Sequence, residues 1–211
     1  MMKKILFGLL ALVSVHANSQ NDPNAKKLLD AVSSKVKTLS TVQANYTLSI
    51  SNRAGKNVGS KAGLISWKGQ KYTMTDNSLQ IFCDGKKVWK FEPAANEVSV
   101  NVVDNSAFTP QKLFTNFYDK DYIYKLNGTK VVNGKKLSEI ELAPTNKNKA
   151  VLKIYLYIDE AQKMIVSGKM LDNSGNVSSY SISNMKSNIT LADNIFTFDK
   201  SKHPGVEEID Q

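Results

Sequence analysis

The apolar positions of this chain fall into one short helical stretch followed by a long series of alternating segments. Leu28, Leu29, Val32, Val36 and Leu39 recur at helical spacing with lysines opposite them. Asp22-Pro23 just ahead supplies an N-cap and a first-turn proline, whose missing N–H costs nothing there. The pattern predicts an amphipathic helix laid against an apolar surface. The period then drops to two. Val42, Ala44, Tyr46, Leu48 and Ile50 alternate with Gln43, Asn45, Thr47 and Ser49, as in a strand with one buried and one wet face. A glycine-rich turn around Gly55 and Gly59 leads to a strand through Leu64, Ile65 and Trp67, and Lys68-Gly69-Gln70 turns it into Tyr72 and Met74. Ile81 and Cys83 run into Asp84-Gly85, a type I′ hairpin dipeptide, and Val88, Trp89 and Phe91 return before Val98, Val100 and Val102. This is an antiparallel meander.

One helical segment interrupts the alternation. Thr109-Pro110 repeats the cap-plus-proline start, and Leu113, Phe114, Phe117 and Tyr118 give a short helix a strongly apolar face. Strands resume through Tyr122–Leu126, Leu137–Leu142, Leu152–Ile158, Met164–Leu171 and Val177–Ile182, with Asn127-Gly128 and Asn133-Gly134 as turns. The tail carries Ile195, Phe196 and Phe198, then His203-Pro204-Gly205-Val206. No repeat or linker divides the chain. About ten or eleven short strands with helices at the start and middle predict a mainly β (α+β) domain, a strongly curved antiparallel sheet, closed or half closed.

The first residues read differently. Lys3-Lys4 precedes an apolar run from Ile5 to Val15, too short for a membrane span of ~20 residues but suited to a secretory signal. Residues 1–19 are therefore expected to be removed, with cleavage after Ser19 or after Ala17, leaving 20–211 as one exported, soluble domain. Cys83 is the single cysteine, so no intramolecular disulfide forms and the core alone must hold the fold. The bare Lys-Lys start points to a bacterium, where the four N-x-S/T sequences carry no meaning.

Charge excludes one class of partner. The chain has 28 basic and 19 acidic residues, and without Lys3 and Lys4 the net charge is +7. The lysines are scattered, and Arg53 is the sole arginine, whereas nucleic-acid readout favours arginine forks. No nucleic-acid partner is expected. Catalytic groups are sparse too. His203 is the only imidazole after the signal, and one His with one Cys makes no zinc site. Asp119 with Asp121, and Asp159 with Glu160, read as solvated turn residues, and Cys83 as a buried thiol. No catalytic residue, metal or cofactor is expected. What stands out is the supply of large apolar side chains over strands and helix. Each alone is ordinary core, but a curved sheet that does not fill itself encloses a ligand cavity.

In their order along the chain, these features resemble the periplasmic outer-membrane lipoprotein carrier proteins of the LolA type. The resemblance spans the mature chain: Leu28-Leu29 in the first helix, Ala44–Tyr46, Gly63-Leu64 leading to Tyr72, Asp84-Gly85-Lys86 with Trp89 and Pro93, Thr109-Pro110 before Leu113-Phe114, and Phe196–Phe198 through Pro204-Gly205-Val206 to Ile209-Asp210. It implies an incomplete β-barrel with a helical lid over an apolar cavity. Lipoproteins would be taken from an inner-membrane releasing transporter and passed to an outer-membrane acceptor, by a monomer that performs no reaction. Tyr46, Leu48, Tyr72, Met74, Trp89, Leu113, Phe114 and Phe117 would then line the cavity and lid. Where the family has Arg-Pro before an aromatic, this chain has Lys68-Gly69 before Tyr72, so Lys68 is the candidate lid latch, with a mobile ammonium in place of a planar fork. Exposing a chain of about sixteen carbons to water costs roughly 12 kcal/mol, which makes a carrier necessary. The alternatives are a lipid carrier or lipoprotein sensor on the same fold and, in a different class, an enzyme acting on lipid or glycan.

Two measurements test these expectations. N-terminal sequencing of the exported protein should begin at Gln20 or Asn18, and an intact Met1 on a cytoplasmic product would overturn export. Phe114→Glu should leave the melting temperature nearly unchanged while abolishing acyl-probe binding and lipoprotein release from inner-membrane vesicles. Collapse of the fold would instead mark the Phe114 helix as core.

Overall fold

A computed structural model describes residues 21–103, 118–146 and 148–210. The first element is the expected helix, α1 (Pro23–Lys37), with the Asp22 carboxylate accepting from the N–H groups of Asn24 and Ala25. Lys35 and Lys37 lie in its last turn, where cations complement the helix dipole. Its buried stripe is Ala25, Leu29, Val32, Ser33 and Val36. The helix predicted after Thr109-Pro110 lies outside the described residues, and the chain re-enters at Tyr118, whose hydroxyl donates to Asp30 of α1 at 3.1 Å.

Twelve strands follow in one sheet: β1 (Thr41–Ser51), β2 (Asn57–Lys68), β3 (Lys71–Thr75), β4 (Gln80–Cys83), β5 (Lys87–Glu92), β6 (Glu97–Val102), β7 (Tyr122–Val132), β8 (Lys135–Pro144), β9 (Val151–Asp159), β10 (Met164–Asp172), β11 (Val177–Ser187) and β12 (Glu207–Asp210). Their order is β12-β6-β5-β4-β3-β2-β1-β11-β10-β9-β8-β7. Two hairpin meanders, β1–β6 and β7–β11, are thus joined edge to edge by β1 and β11. Register shifts at Gln43/Asn45, Ile50/Ser51, Leu126/Thr129 and Ile165/Ser167 bend the sheet, which stays open between β12 and β7.

The sheet corrects the expected strand count. The twelfth strand, β12, pairs parallel with β6, Glu207 opposite Glu97 and Ile209 opposite Ser99. Its alternation is hidden in an acidic four-residue tail. Turn assignments change as well. Gly59 lies within β2 opposite Ile50, and Asn127-Gly128 sits inside β7 at a bulge. The turn with positive φ at both central residues is Asn133 (50°) and Gly134 (76°), between β7 and β8. At Asp84-Gly85 only the glycine has positive φ, and the Asp84 carboxylate closes the turn by accepting from the N–H groups of Lys86 and Lys87.

The core sits between α1 and the inner face of the sheet, where Val42, Trp67, Tyr124, Ile140, Leu142, Leu156 and Ile158 are buried. A second cluster lies on the outer face, where Phe91, Val98, Phe82 and Trp89 pack against Phe198 and Val206 of the C-terminal segment. Two glycines shape the inner face. A Cβ at Gly168 would stand 2.5 Å from the Tyr180 ring, and one at Gly63 would stand 2.8 Å from the Tyr46 hydroxyl and 2.0 Å from the Thr75 carbonyl oxygen. The Tyr180 ring edge therefore sits over Gly168, while Gly63 makes room for the Thr75 carbonyl and the Tyr46 hydroxyl. We expect Gly168→Ala to cost about 1–3 kcal/mol through overpacking. Chemical denaturation should show Tyr180→Leu recovering part of that loss when the two changes are combined.

Candidate functional site

Strand alternation decides which side chains share the inner face. On β1, Val42, Ala44, Tyr46 and Leu48 point inward, and the register brings Trp67, Ile65 and Gly63 of β2 opposite the first three. On the other side of β1, Ile182 stands opposite Tyr46 and Tyr180 opposite Leu48. Tyr72 and Met74 of β3 face Trp67 and Ile65 across the next pair. These side chains make a continuous apolar surface beside the α1 core. Val42, Ala44, Ile65, Trp67, Tyr180, Ile182 and Met185 enclose a void of about 30 Å³ within it. Further along the same face the burial thins out. Leu48 and Met74 are half-buried, while Ile50 is 47%, Met170 37% and Leu152 50% exposed.

One polar pair is set into this surface. The Tyr46 hydroxyl donates to Asp76 at 3.0 Å, and Asp76 also accepts from the hydroxyl and N–H of Ser78 and the N–H of Leu79. Burial pushes the Asp76 carboxyl up, but these hydrogen bonds outweigh it and hold the pKa down at about 2. The Tyr46 hydroxyl is pushed up, by burial first and then by the carboxylate it serves. Lys61 donates to the Ser78 hydroxyl at 2.8 Å. At neutral pH the pair is a fixed donor and a fixed anion that hold the hydroxyl end of Tyr46 beside Gly63. Burial likewise pushes up the Tyr180 hydroxyl.

The residues expected to line a cavity separate into three groups. Tyr46, Leu48, Tyr72 and Met74 come together on the inner face. Trp89 does not. It stands opposite Phe82 and Val100, and that register places it on the outer face in the cluster around Phe198. Its neighbours Val88 and Lys90 take the inward positions, because successive strand residues alternate. Leu113, Phe114 and Phe117 lie outside the described residues. Lys68 also turns outward, next to inward-facing Trp67. Its ammonium reaches Asp193 at 3.0 Å and the Leu191 carbonyl at 3.4 Å, and Lys71 joins the same carboxylate at 3.3 Å. Lys68 thus ties the C-terminal segment to the outer face, on the opposite side from α1. The two lysines hold the Asp193 carboxyl below its usual range.

Sequence reasoning missed Tyr180, Ile182, Met185 and the glycines under the tyrosines. The alternation in β11 marks Tyr180 and Ile182 as inward, but only the long-range pairing with β1 brings them to Tyr46. The residues weighed for catalysis are dispersed. His203 stacks on Phe198, ring centroids 4.8 Å apart, and meets Phe91 at a tilt of 51°, centroids 4.2 Å apart. Cys83 is buried, with its thiol pushed up chiefly by burial. Asp121 pairs with Lys149, and Glu160 accepts from the Ser138 hydroxyl. Among the described residues no three His, Cys, Asp or Glu side chains cluster as metal ligands, and no helix is long and apolar enough to cross a membrane.

The family described as Outer membrane lipoprotein carrier protein LolA matches residues 34–199. An outer-membrane lipoprotein carrier protein of Pasteurella multocida is 28% identical, covering 100% of this chain and 98% of its own length. The protein of that name in Haemophilus influenzae strain KW20 is 26% identical, with the same coverage. A solved structure of an uncharacterized conserved protein from Thermus thermophilus shares the fold with a TM-score of 0.60 at 11% identity, covering 89% of this chain and 99% of that one. The family match takes in the helix end, the sheet through β11 and the first part of the C-terminal segment, so this chain belongs to the outer membrane lipoprotein carrier protein family.

Proposed function

We propose that the protein is a periplasmic carrier that holds the acyl chains of lipoproteins against the inner face of its sheet. The observation that carries this reading is the apolar surface built by Tyr46, Leu48, Tyr72, Met74, Tyr180 and Ile182, which is half-buried where it runs beyond the α1 core. Its relatives are named as lipoprotein carriers, and a lipoprotein is the cargo such a surface suits. Binding needs no reaction. It needs apolar area that an acyl chain can cover, at ~0.8 kcal/mol per CH₂.

The void of about 30 Å³ equals roughly one water's share of liquid volume, far less than an acyl chain. Loading at this point therefore requires side chains to part. Met74, Met185 and Leu48 are unbranched or flexible enough to do so at low cost. The cargo arrives from an inner-membrane releasing transporter and leaves to an outer-membrane acceptor, with the carrier acting as a monomer. Residues 20–211 form the single exported domain on this reading.

Leu48→Gln keeps the size of a half-buried side chain and should lower stability by only about 1 kcal/mol. It should weaken binding of a fluorescent fatty-acyl probe about tenfold, read by titration. Trp89→Leu on the outer face should leave probe binding unchanged. Equal losses from the two changes would remove the inner face as the binding surface.

A further inference from the structure

Strands β10 and β11 stay paired over only part of their length. The ladder runs from Leu171 opposite Val177 to Ser167 opposite Ser181 and stops there. Beyond it each strand keeps only its other neighbour. Met164 and Ile165 pair with Asp159 and Ile158 of β9, while Ile182, Ser183, Lys186 and Ser187 pair with Tyr46, Asn45, Gln43 and Val42 of β1. Among the described residues, no main-chain partner joins residues 164–166 to residues 182–187. Register shifts flank the split, at Ile165/Ser167 in β10 and where Asn184 and Met185 of β11 stand against Ala44, and such shifts bend strands.

A depression of about 310 Å³ lies at this split. Ile165 and Ile182 of the inner face line it together with Ser167, Ser181 and Ser183 of the outer face, so it lies within the layer of the sheet. The volume falls at the low end of ligand sites, about 300–1,000 Å³. Ile182 and Met185 line it and also wall the void of about 30 Å³ on the proposed acyl surface. One layer of side chains therefore separates the gap from the acyl site, and one of its members is a flexible methionine.

We infer that this gap holds the extended polypeptide of the cargo next to its acyl chains, added as a short strand between β10 and β11. The inference rests on the carrier reading and deepens it. In an antiparallel ladder alternate residues turn their N–H and C=O groups away from the paired neighbour. On β10 and β11 these groups face the gap from both sides, and unpaired strand edges are templates for another main chain. Residues 164–166 offer about 10 Å of edge at ~3.4 Å each, enough for about three residues of a guest strand. Leu137 and Val166 supply apolar contact, and Asn133 and Gln162 supply amides. Among the described residues, Lys135 is the sole charged side chain lining the depression, which suits an uncharged segment. A lipoprotein carries its acyl chains on its own polypeptide, so the site beside the acyl surface receives main chain. Threaded through the sheet layer, that main chain would keep the folded part of the cargo off the inner face.

Hydrogen exchange on the wild-type mature protein, read by mass spectrometry, tests this. A short N-palmitoyl peptide of alternating Ser and Val should slow exchange in residues 164–166 and 182–187 by about tenfold or more. The fluorescent fatty-acyl probe alone should not. By calorimetric titration, N-methylation of either alternate set of peptide residues should weaken binding about tenfold, because a strand between two edges uses both sets. Full affinity after either N-methylation overturns the inference. Protection by the acyl probe alone also overturns it, since the gap would then hold acyl chain, as does equal protection by the unacylated peptide. If the probe binds and the lipopeptide adds no protection in these segments, the inference fails and the carrier reading stands. If neither the probe nor the lipopeptide binds, the carrier reading fails and takes the inference with it.

Discussion

Everything on the inner face depends on β1 pairing with β11. Each meander forms from neighbours in sequence, but this pair joins residues more than a hundred positions apart. It is secured at one end by Asn188, whose side-chain oxygen accepts from the Ser40 N–H and hydroxyl, and by the Thr41 hydroxyl donating to the Ile189 carbonyl. Without it, Tyr46 and Leu48 would not meet Ile182 and Tyr180, and each half-sheet would expose one apolar face. Non-local pairing has to offset a large closure entropy before its contacts form. The two tyrosine-on-glycine contacts flank this seam and fit it sterically. Gly63 leaves space on β2 for the Tyr46 hydroxyl, and Gly168 leaves space on β10 for the Tyr180 ring.

Period-two alternation made most of the sheet legible in the sequence. The inward set on β1 was readable from Val42 to Ile50, and α1 was marked by its cap, its proline and its spacing. Alternation gives parity within a strand but not the face on which a strand's apolar set lands. Trp89 shows the consequence. Phe91 and Trp89 form an apolar set as regular as that of β1, yet it turns outward because the C-terminal segment supplies a second apolar cover. The sequence held a hint of this in Phe198 and Val206, large apolar residues of the tail. Lys68 follows the same logic, since its neighbour Trp67 fixes it outward. Short β12 was illegible because acidic residues on an edge strand carry no apolar alternation.

The outward set changes what the C-terminal segment does. Phe198 lies against Phe82 and Phe91, His203 stacks on Phe198, and Lys68 and Lys71 hold Asp193. The ion pairs are exposed and contribute little, so the aromatic cluster carries most of the attachment. The segment thereby braces β3 to β6 from behind. On the inner side of these strands Met74 and Ile81 are half-buried, Met74 packing against Ala44, Tyr46 and Ile65. A strand whose outer face is packed can present its inner face to a ligand without losing its place in the sheet.

A carrier must hold its cargo well enough to keep it from water and loosely enough to release it to the next site. Full transfer of an acyl chain at ~0.8 kcal/mol per CH₂ into an empty apolar cavity would make release slow. Among the described residues, the part of the inner face beside α1 is filled by its own side chains, with about 30 Å³ enclosed between Val42, Ile65, Trp67 and Tyr180. An incoming chain covers apolar surface but must first separate side chains that already cover one another. The net gain is the difference between the two burials, smaller than either. Polar Tyr46–Asp76 within that surface lowers it further, because the Tyr46 hydroxyl keeps its hydrogen bond to Asp76 only if the side chain stays in place. Affinity on the proposed carrier function is thus set by self-packing: enlarging the void would tighten binding, and tighter binding would hinder delivery.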